Sequence, residues 1–501
     1  MYWLVSLLVL ETVLEGALCN GWFASHARLR KTACAAAALL LVVTTVALCA
    51  SEWQVWVWGI PAGAYRLINL LRVYRGRLLL PQLRTMALRA FGWLVAAQAV
   101  ATILAALTIE FDWDSTVFDI FVVAQLLGAI VLLRSSLHTW RHAGVSGSTI
   151  ALSDKELPSV SVLVPARNET DDLERCLQAL IASDYPKLEI LVLDDCSANR
   201  RTPEIIRSFA HDGVRFIQGE VPDETRWLAK NFAYERLTQE ASGELLLYCG
   251  VDALVEPHSI RQLVCLLQAR GKDMLSVMPL RAKTPNRGNS LPQAMRYYWE
   301  ICLPRRFFKR PPVLSTCWLI KRSTLEHMGG FESVSRSVNP EAPLARRAVV
   351  TDAYSFIRSD ENLGVYSNKP AQEQYGTSVR VRYPQLHRRL ELVALASFFE
   401  FTLLLGPFVG VFLAVYLIHA MAYLLLWVVT LMCLFTTYGL VTVGARLTNP
   451  WFGWLLMPVA FVVDLIVLHT SLWKYEFSSV DWKGRNVCVP VMQVEPRLPK
   501  L

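Results

Sequence analysis

VSVLVPA (160–166), LEILVLDD (188–195), VRFIQG (214–219) and ELLLYCGVDA (244–253) decide the fold. Each is a short apolar run, continuous rather than alternating, and bounded by proline, glycine or an acid. That pattern reads as a strand buried on both faces of a sheet. Between the runs lie stretches of helical period: DDLERCLQALIAS (171–183), TPEIIRSFAH (202–211) and AKNFAYERLTQEA (229–241). The first opens on two acids, as a helix start should. Strand–helix alternation predicts an α/β domain with a mostly parallel sheet, whose ligand site lies at the carboxyl ends of the strands. The strands end at the Pro165 turn, at Asp194-Asp195 and at Asp252, so carboxylates gather where a ligand is expected.

On either side the composition changes. Of the 501 residues, 53% are hydrophobic and 18% charged, against roughly 25% charged in soluble domains. The apolar residues crowd 1–134 and 392–473, while about 150–390 has soluble composition. The chain therefore divides into an N-terminal transmembrane block (1–142), a soluble domain (150–390), C-terminal transmembrane or interfacial helices (391–475) and a tail (476–501). A spanning helix needs ~20 apolar residues. Candidates are 2–20, 33–50, 53–71, 91–109 and 117–134, the third weakened by Pro61 and Arg66. After the domain they are 393–416, 418–441 and 453–473.

The net charge of +8 is not a nucleic-acid signature, because the arginines sit in short loops beside apolar runs. Arg28, Arg30 and Lys31 form one such loop, Arg72, Arg75, Arg77, Arg84 and Arg89 another, whereas 110–116 is acidic. Placing basic loops inside gives five spans, an outside N-terminus without a cleaved signal, and a cytoplasmic domain. The basic tail (Lys474, Lys483, Arg485, Arg497, Lys500) also favours the cytoplasm, which three full C-terminal spans would forbid. The 393–416 run, with Glu400 and Gly406-Pro407, is the candidate for one that does not cross. Eleven cysteines without a CxxC pair argue against a disulfide framework and suit a reduced compartment.

At the strand ends the sequence resembles membrane-bound glycosyltransferase family 2, of the ceramide-glucosyltransferase-like and hopanoid-associated kind, with a GT-A fold. SVSVLVPARNE (159–169) resembles the family's first strand and P-x-R-N-E turn, and LDDCSAN (193–199) its VDDGS turn. RWLAKNFA (226–233) resembles G-W-x-G-K-N-x-A, and GELLLYCGVDALVEP (243–257) the stretch with the D-x-D motif. MGGFESV (328–334), RAVVTDAYSFI (347–357), QLHRR (385–389) and VDWKGRNV (480–487) resemble the G-G-F turn, the E-D segment, Q-x-x-R-W and the W-[RK]-G-R-x-Y tail. The order and spacing of the eight carry the likeness, which does not reach the N-terminal block. Three positions depart: Gly250 for the first D-x-D acid, Thr351 for the glutamate of E-D, and Arg389 for the tryptophan.

The resemblance implies roles. Pro165, Arg167, Glu169, Asp195, Lys230 and Asp252 would bind the nucleotide sugar, a UDP-sugar above all. Asp252 would also hold a divalent cation, Mg²⁺ or Mn²⁺, which neutralises the departing diphosphate. Asp352 would be the catalytic base. Gly330, Gln385, Arg388 and Arg389 would meet acceptor or nucleotide. Each has a plainer reading: strand-end turn for Asp252, helix cap for Glu169, Asp195 and Asp352, membrane anchoring for the arginines. Lys230 stands in a helix first turn, against the dipole, where a nearby phosphate would explain it. PRRFFKRPP (304–312) reads as a solvated face or a basic loop against anionic lipid.

The function expected is an inverting glycosyltransferase in the cell membrane, moving one sugar to a lipid-linked acceptor at the cytoplasmic face. A processive, exporting polysaccharide synthase is the alternative. A degenerate non-catalytic binder is a third, motivated by Gly250 and Thr351.

Overall fold

The computed structural model describes residues 27–51, 114–145 and 152–487, apart from 224–225, 283–289, 305–309, 416–420, 448–452 and 478–479, with isolated positions between 11 and 74. The expected 91–109 span lies outside the described residues, as do most of 2–20 and 53–71. The chain forms two compact units, 1–121 with 388–396, and 122–387 with 397–501.

In the first unit, helix α1 (Ala27–Ser51) carries one of five described helices long and apolar enough to cross a membrane. The Arg66 that weakens the 53–71 run is buried and paired, 2.7 Å from Glu11 and 2.8 Å from Glu15. Thr44 Oγ1 donates to Glu11 at 2.7 Å. Charges in an apolar block persist when they face one another in this way.

The second unit begins within α2 (Asp114–His142) and contains the sheet. The four quoted runs are strands β1 (Val160–Ala166), β2 (Leu188–Asp194), β3 (Val214–Gln218) and β4 (Leu245–Cys249). They pair in parallel. Between them stand α3 (Asp171–Ile181) and α4 (Ala229–Glu240). A short strand β5 (Ala253–Val255) follows, then β6 (Met274–Met278) and β7 (Leu280–Arg281). Next come α5 (Leu291–Cys302), β8 (Cys317–Lys321), α6 (Glu341–Val350), β9 (Tyr354–Arg358) and β10 (Val365–Ser367). The main sheet has seven strands in the order β3-β2-β1-β4-β8-β6-β9. Only β8 runs against the rest. This is the mostly parallel, GT-A-like core that the sequence predicts. A small sheet β5-β10-β7 stands beside it.

Helix α7 (Ala371–Gln385) leaves this core for the apolar helices α8 (Leu390–Phe399), α9 (Gly406–Leu413), α10 (Met421–Gly444) and α11 (Met457–Phe477). A π-helical stretch, Glu400–Leu405, joins α8 to α9. Its wider turn frees a backbone carbonyl, and Gln125 of α2 donates to Thr402 O at 2.6 Å. The same Gln125 accepts from Trp427 Nε1 of α10 at 2.7 Å. Gly410 lies directly on the Trp427 ring.

The far end of α10 returns to the soluble core: Arg281 N donates to Ala445 O at 3.0 Å, and Arg446 pairs with Glu361. Helix α11 packs along α5 and α7 over much of its length. Asp464 Oδ2 accepts from Trp299 Nε1 at 2.6 Å and from Arg382 Nη2 at 2.7 Å. Further on, Ser471 Oγ accepts from Tyr383 N at 3.1 Å, and Tyr475 OH donates to Arg380 O at 2.7 Å. Glu400 completes the buried cluster on Arg382. Beyond α11, the tail folds back as a hairpin, β11 (Asp481–Trp482) and β12 (Arg485–Asn486).

Candidate active site

A cavity of about 520 Å³ opens at the carboxyl ends of β1 and β4. Strand direction delivers Pro165 and Glu169 from β1, and Asp252 from the turn after β4. Lys230 enters from the first turn of α4 and Gln385 from the end of α7. These five expected residues do share one cavity.

Its lining carries both signs: Lys230, Arg296, Lys369, Arg380, Lys483 and Arg485 stand among Glu169, Asp172, Asp252, Glu300, Glu341, Glu373 and Asp481. Lys230 and Lys369 line it without an ion pair to a neighbouring acid, Lys230 resting 5.2 Å from the Tyr234 ring. Burial lowers the pKa of both amines. Arg296 of α5 and Arg380 of α7 line it too. Burial lowers both, Arg380 to about 10 with the neighbouring Arg296 lowering it further. Four half-buried cations facing one cavity, each with its pKa lowered by burial, favour an anion placed beside them.

Against them stands Glu341, in the first turn of α6. It lines the cavity, is 2% exposed, and its Oε2 is buried without a hydrogen-bond partner. Burial raises its pKa, with Lys230 pulling the other way. A partly desolvated carboxylate with a free oxygen has the properties of a general base.

Asp252 presents a single carboxylate, with Ser367 Oγ 3.4 Å from Oδ2. At Gly250, a Cβ would stand 2.6 Å from Asp252 Oδ1. The remaining acid thus leans into the space that a second acid would fill. Among the described residues, no group of three or more His, Cys, Asp or Glu could hold an ion alone. The donor set fits a divalent ion in one way only, as a single protein carboxylate whose partners are phosphate oxygens and water, a mode Mg²⁺ accepts.

Several expected residues lie elsewhere. Asp352 precedes β9 and therefore sits at the amino end of a strand parallel to β6, across the sheet from the cavity. Its side chain is 94% exposed and 2.7 Å from Lys272 Nζ. Ligand sites form at the carboxyl ends of parallel strands, and the structure does not bring Asp352, expected as the base, to this cavity.

Arg167 does not line the cavity. Its Nη1 donates to Asp195 O at 2.5 Å and Cys196 O at 2.7 Å, and its Nε to Lys483 O at 3.0 Å. Asp195 is buried at the end of β2 and receives Arg485 Nη1 at 2.7 Å. Burial raises its pKa, opposed by Arg485. Glu169 likewise pairs with Lys483, and burial again raises it. Gly330 sits in a left-handed turn (φ 58°) outside the cavity lining. Arg388 and Arg389 belong to the first unit, where Arg389 pairs with Glu391.

Sequence reading missed Glu341, Arg296, Lys369 and Arg380. The first carried a visible signal, an acid in a helix first turn after Pro340. The others stand in polar helix or loop segments that only the tertiary fold brings together.

Residues 161–329 match glycosyl transferase family 2. The chain is 23% identical over 305 residues to the probable glycosyltransferase YdaM of Bacillus subtilis, covering 59% of this chain and 68% of that protein. It is 26% identical over 239 residues to the glycosyltransferase AglE of Haloferax volcanii, covering 46% and 74%. A solved mannosyltransferase, PcManGT of Pyrobaculum calidifontis in complex with GDP-Man and Mn²⁺, is similar at 18% identity and a TM-score of 0.41, over 71% of this chain and 99% of that one. With its strand-end motifs and mixed sheet, the matched segment is a glycosyltransferase family 2 domain, and the chain is a glycosyltransferase.

Proposed function

We propose that the chain is an inverting transferase that moves one sugar from a nucleotide sugar to a lipid-linked hydroxyl at the cytoplasmic face of the cell membrane. The observation that carries this reading is the pairing, in one cavity, of a buried carboxylate with one unpartnered oxygen, Glu341, with four half-buried cations. The acceptor oxygen attacks the anomeric carbon as the bond to the diphosphate breaks, and Glu341 takes the hydroxyl proton. Lys230, Lys369, Arg296 and Arg380 stabilise the charge left on the diphosphate. A divalent ion, held on the protein side by Asp252, would add its charge there when bound. Mass spectrometry of lipids from a strain lacking the gene should show one glycolipid class reduced to its unglycosylated acceptor. An unchanged lipid profile, with a polysaccharide lost instead, would favour the processive reading.

Ion dependence tests Asp252. Calorimetry with UDP is expected to show binding that weakens on chelation, and chelation is expected to make no difference in Asp252→Ala. With one carboxylate in place of two, half-saturation by Mn²⁺ should need more ion than a two-carboxylate site does. Chelator-indifferent binding in the unaltered chain would remove the ion from the reading.

The packing also supports a different membrane arrangement from the one expected. The hairpin after α11 lies against the soluble core, so an even number of crossings separates residue 387 from residue 481. Helices α8–α9 and α10 make the two crossings. Helix α11 then lies along the membrane surface, with Val459, Val462, Ile466, Trp473 and Phe477 exposed toward lipid. On this reading the non-crossing run is 453–477 in place of the expected 393–416, although both are long and apolar enough to cross. A periplasm-only reporter fused after Trp140 or after Phe477 should be silent, and signal from either would break this topology.

A further inference from the structure

The tail hairpin is tied to the soluble core at both ends of its turn. Lys483 pairs with Glu169, and Arg485 with Asp195. The turn has positive φ at Lys483 (48°) and Gly484 (79°), the geometry of a tight two-residue hairpin. Lys483 O accepts from Arg167 Nε at 3.0 Å and from Asn168 Nδ2 at 3.2 Å. The Arg380 guanidinium stands 5.6 Å from the Trp482 ring. Trp482, Lys483 and Arg485 all line the cavity, whereas Asp195 does not, lying beneath Arg485. The cavity keeps its volume of about 520 Å³ with the hairpin in place, so the hairpin bounds it rather than fills it.

We propose that this hairpin is the second wall of the donor site: Asp195 and Glu169 anchor it, and Trp482 and Arg485 are the groups it offers to a nucleoside diphosphate. The proposal rests on the donor reading of the cavity. It makes Asp195 a positioning residue that acts on the nucleotide through Arg485. Of the five guanidinium N–H donors of Arg485, the ion pair with Asp195 engages Nη1. Trp482 supplies an aromatic surface next to the Arg380 charge.

Calorimetry of the full chain in detergent, with UDP and GDP as probes, tests this. Trp482→Ala leaves both ion pairs intact, and it is expected to weaken nucleotide binding about tenfold, as is Arg485→Ala, the usual worth of one such contact. Asp195→Asn should weaken binding to the same extent. The double variant, Asp195→Asn with Arg485→Ala, should be no worse than either single change, because the two residues act as one unit. Additive losses would place Asp195 on the nucleotide itself and overturn its anchoring role. Unaltered affinity in Trp482→Ala and Arg485→Ala, with melting temperature preserved, would overturn the wall while leaving the donor reading intact. An unaltered chain that bound neither nucleotide would remove the donor reading and the wall together.

Discussion

Glu341→Gln is expected to lower kcat by ~10²–10⁴-fold, the range that general-base catalysis supplies. The side chain keeps its size, and the amide can still be buried, so the fold should survive. The nucleotide Kd should hardly move, since the lost interaction arises only as the acceptor proton leaves. The pH profile gives an independent readout. A base must be ionised to act, and burial raises the Glu341 pKa above the usual carboxylate value. The rate should therefore fall as pH drops through that raised pKa, and the limb should vanish in the glutamine variant. Asp352→Asn serves as the control, because Asp352 is exposed at the opposite edge of the sheet. Near-normal turnover in Glu341→Gln, with a large loss in Asp352→Asn, would reverse the assignment. A small loss in both would point to an acceptor already ionised at neutral pH, such as a lipid phosphate.

The second large effect belongs to the cations. Lys230→Met and Lys369→Met are each expected to lower kcat/KM by ~10²–10³-fold, in line with removing one preorganised charge from a developing anion. Neither lysine has an ion-paired acid to be left exposed, and burial already disfavours its charge. Removing either should thus leave the melting temperature unchanged or raised. This combination, activity lost with stability kept, separates a ligand-facing charge from a structural one. A stability loss that matched the activity loss would assign these lysines to the fold.

The strands were legible in the sequence because a parallel sheet buried on both faces writes itself as continuous apolar runs. Pro165, Glu169, Lys230 and Asp252 were legible because each stands at a strand end or in a first helical turn, where the fold itself dictates position. The proposed base was not. Asp352 stands where the resemblance puts a catalytic acid, and only the direction of β9 shows that it lies at the other edge of the sheet from the cavity. The pairing of Lys483 with Glu169 and of Arg485 with Asp195 joins residues some three hundred positions apart, and no local pattern encodes such a contact. The proposed in-plane course of α11 was hidden for a different reason. Hydropathy records how apolar a helix is, and a helix that packs Phe461 on Tyr298 can be as apolar in plane as across.

The tail's position against the cavity has a consequence for how the enzyme is made. Residues 481–485 are synthesised after the five described helices long and apolar enough to cross a membrane, yet they form one side of the cavity that β1 and β4 open far earlier in the chain. A ribosome-bound chain that has finished its sheet still lacks that side. The same holds for a chain whose last helices have not found the bilayer, since α11 holds α5 and α7 through Asp464. If the hairpin is the donor-site wall proposed above, a complete nucleotide-sugar site forms last, after the apolar helices are made, and an unfinished copy lacks it.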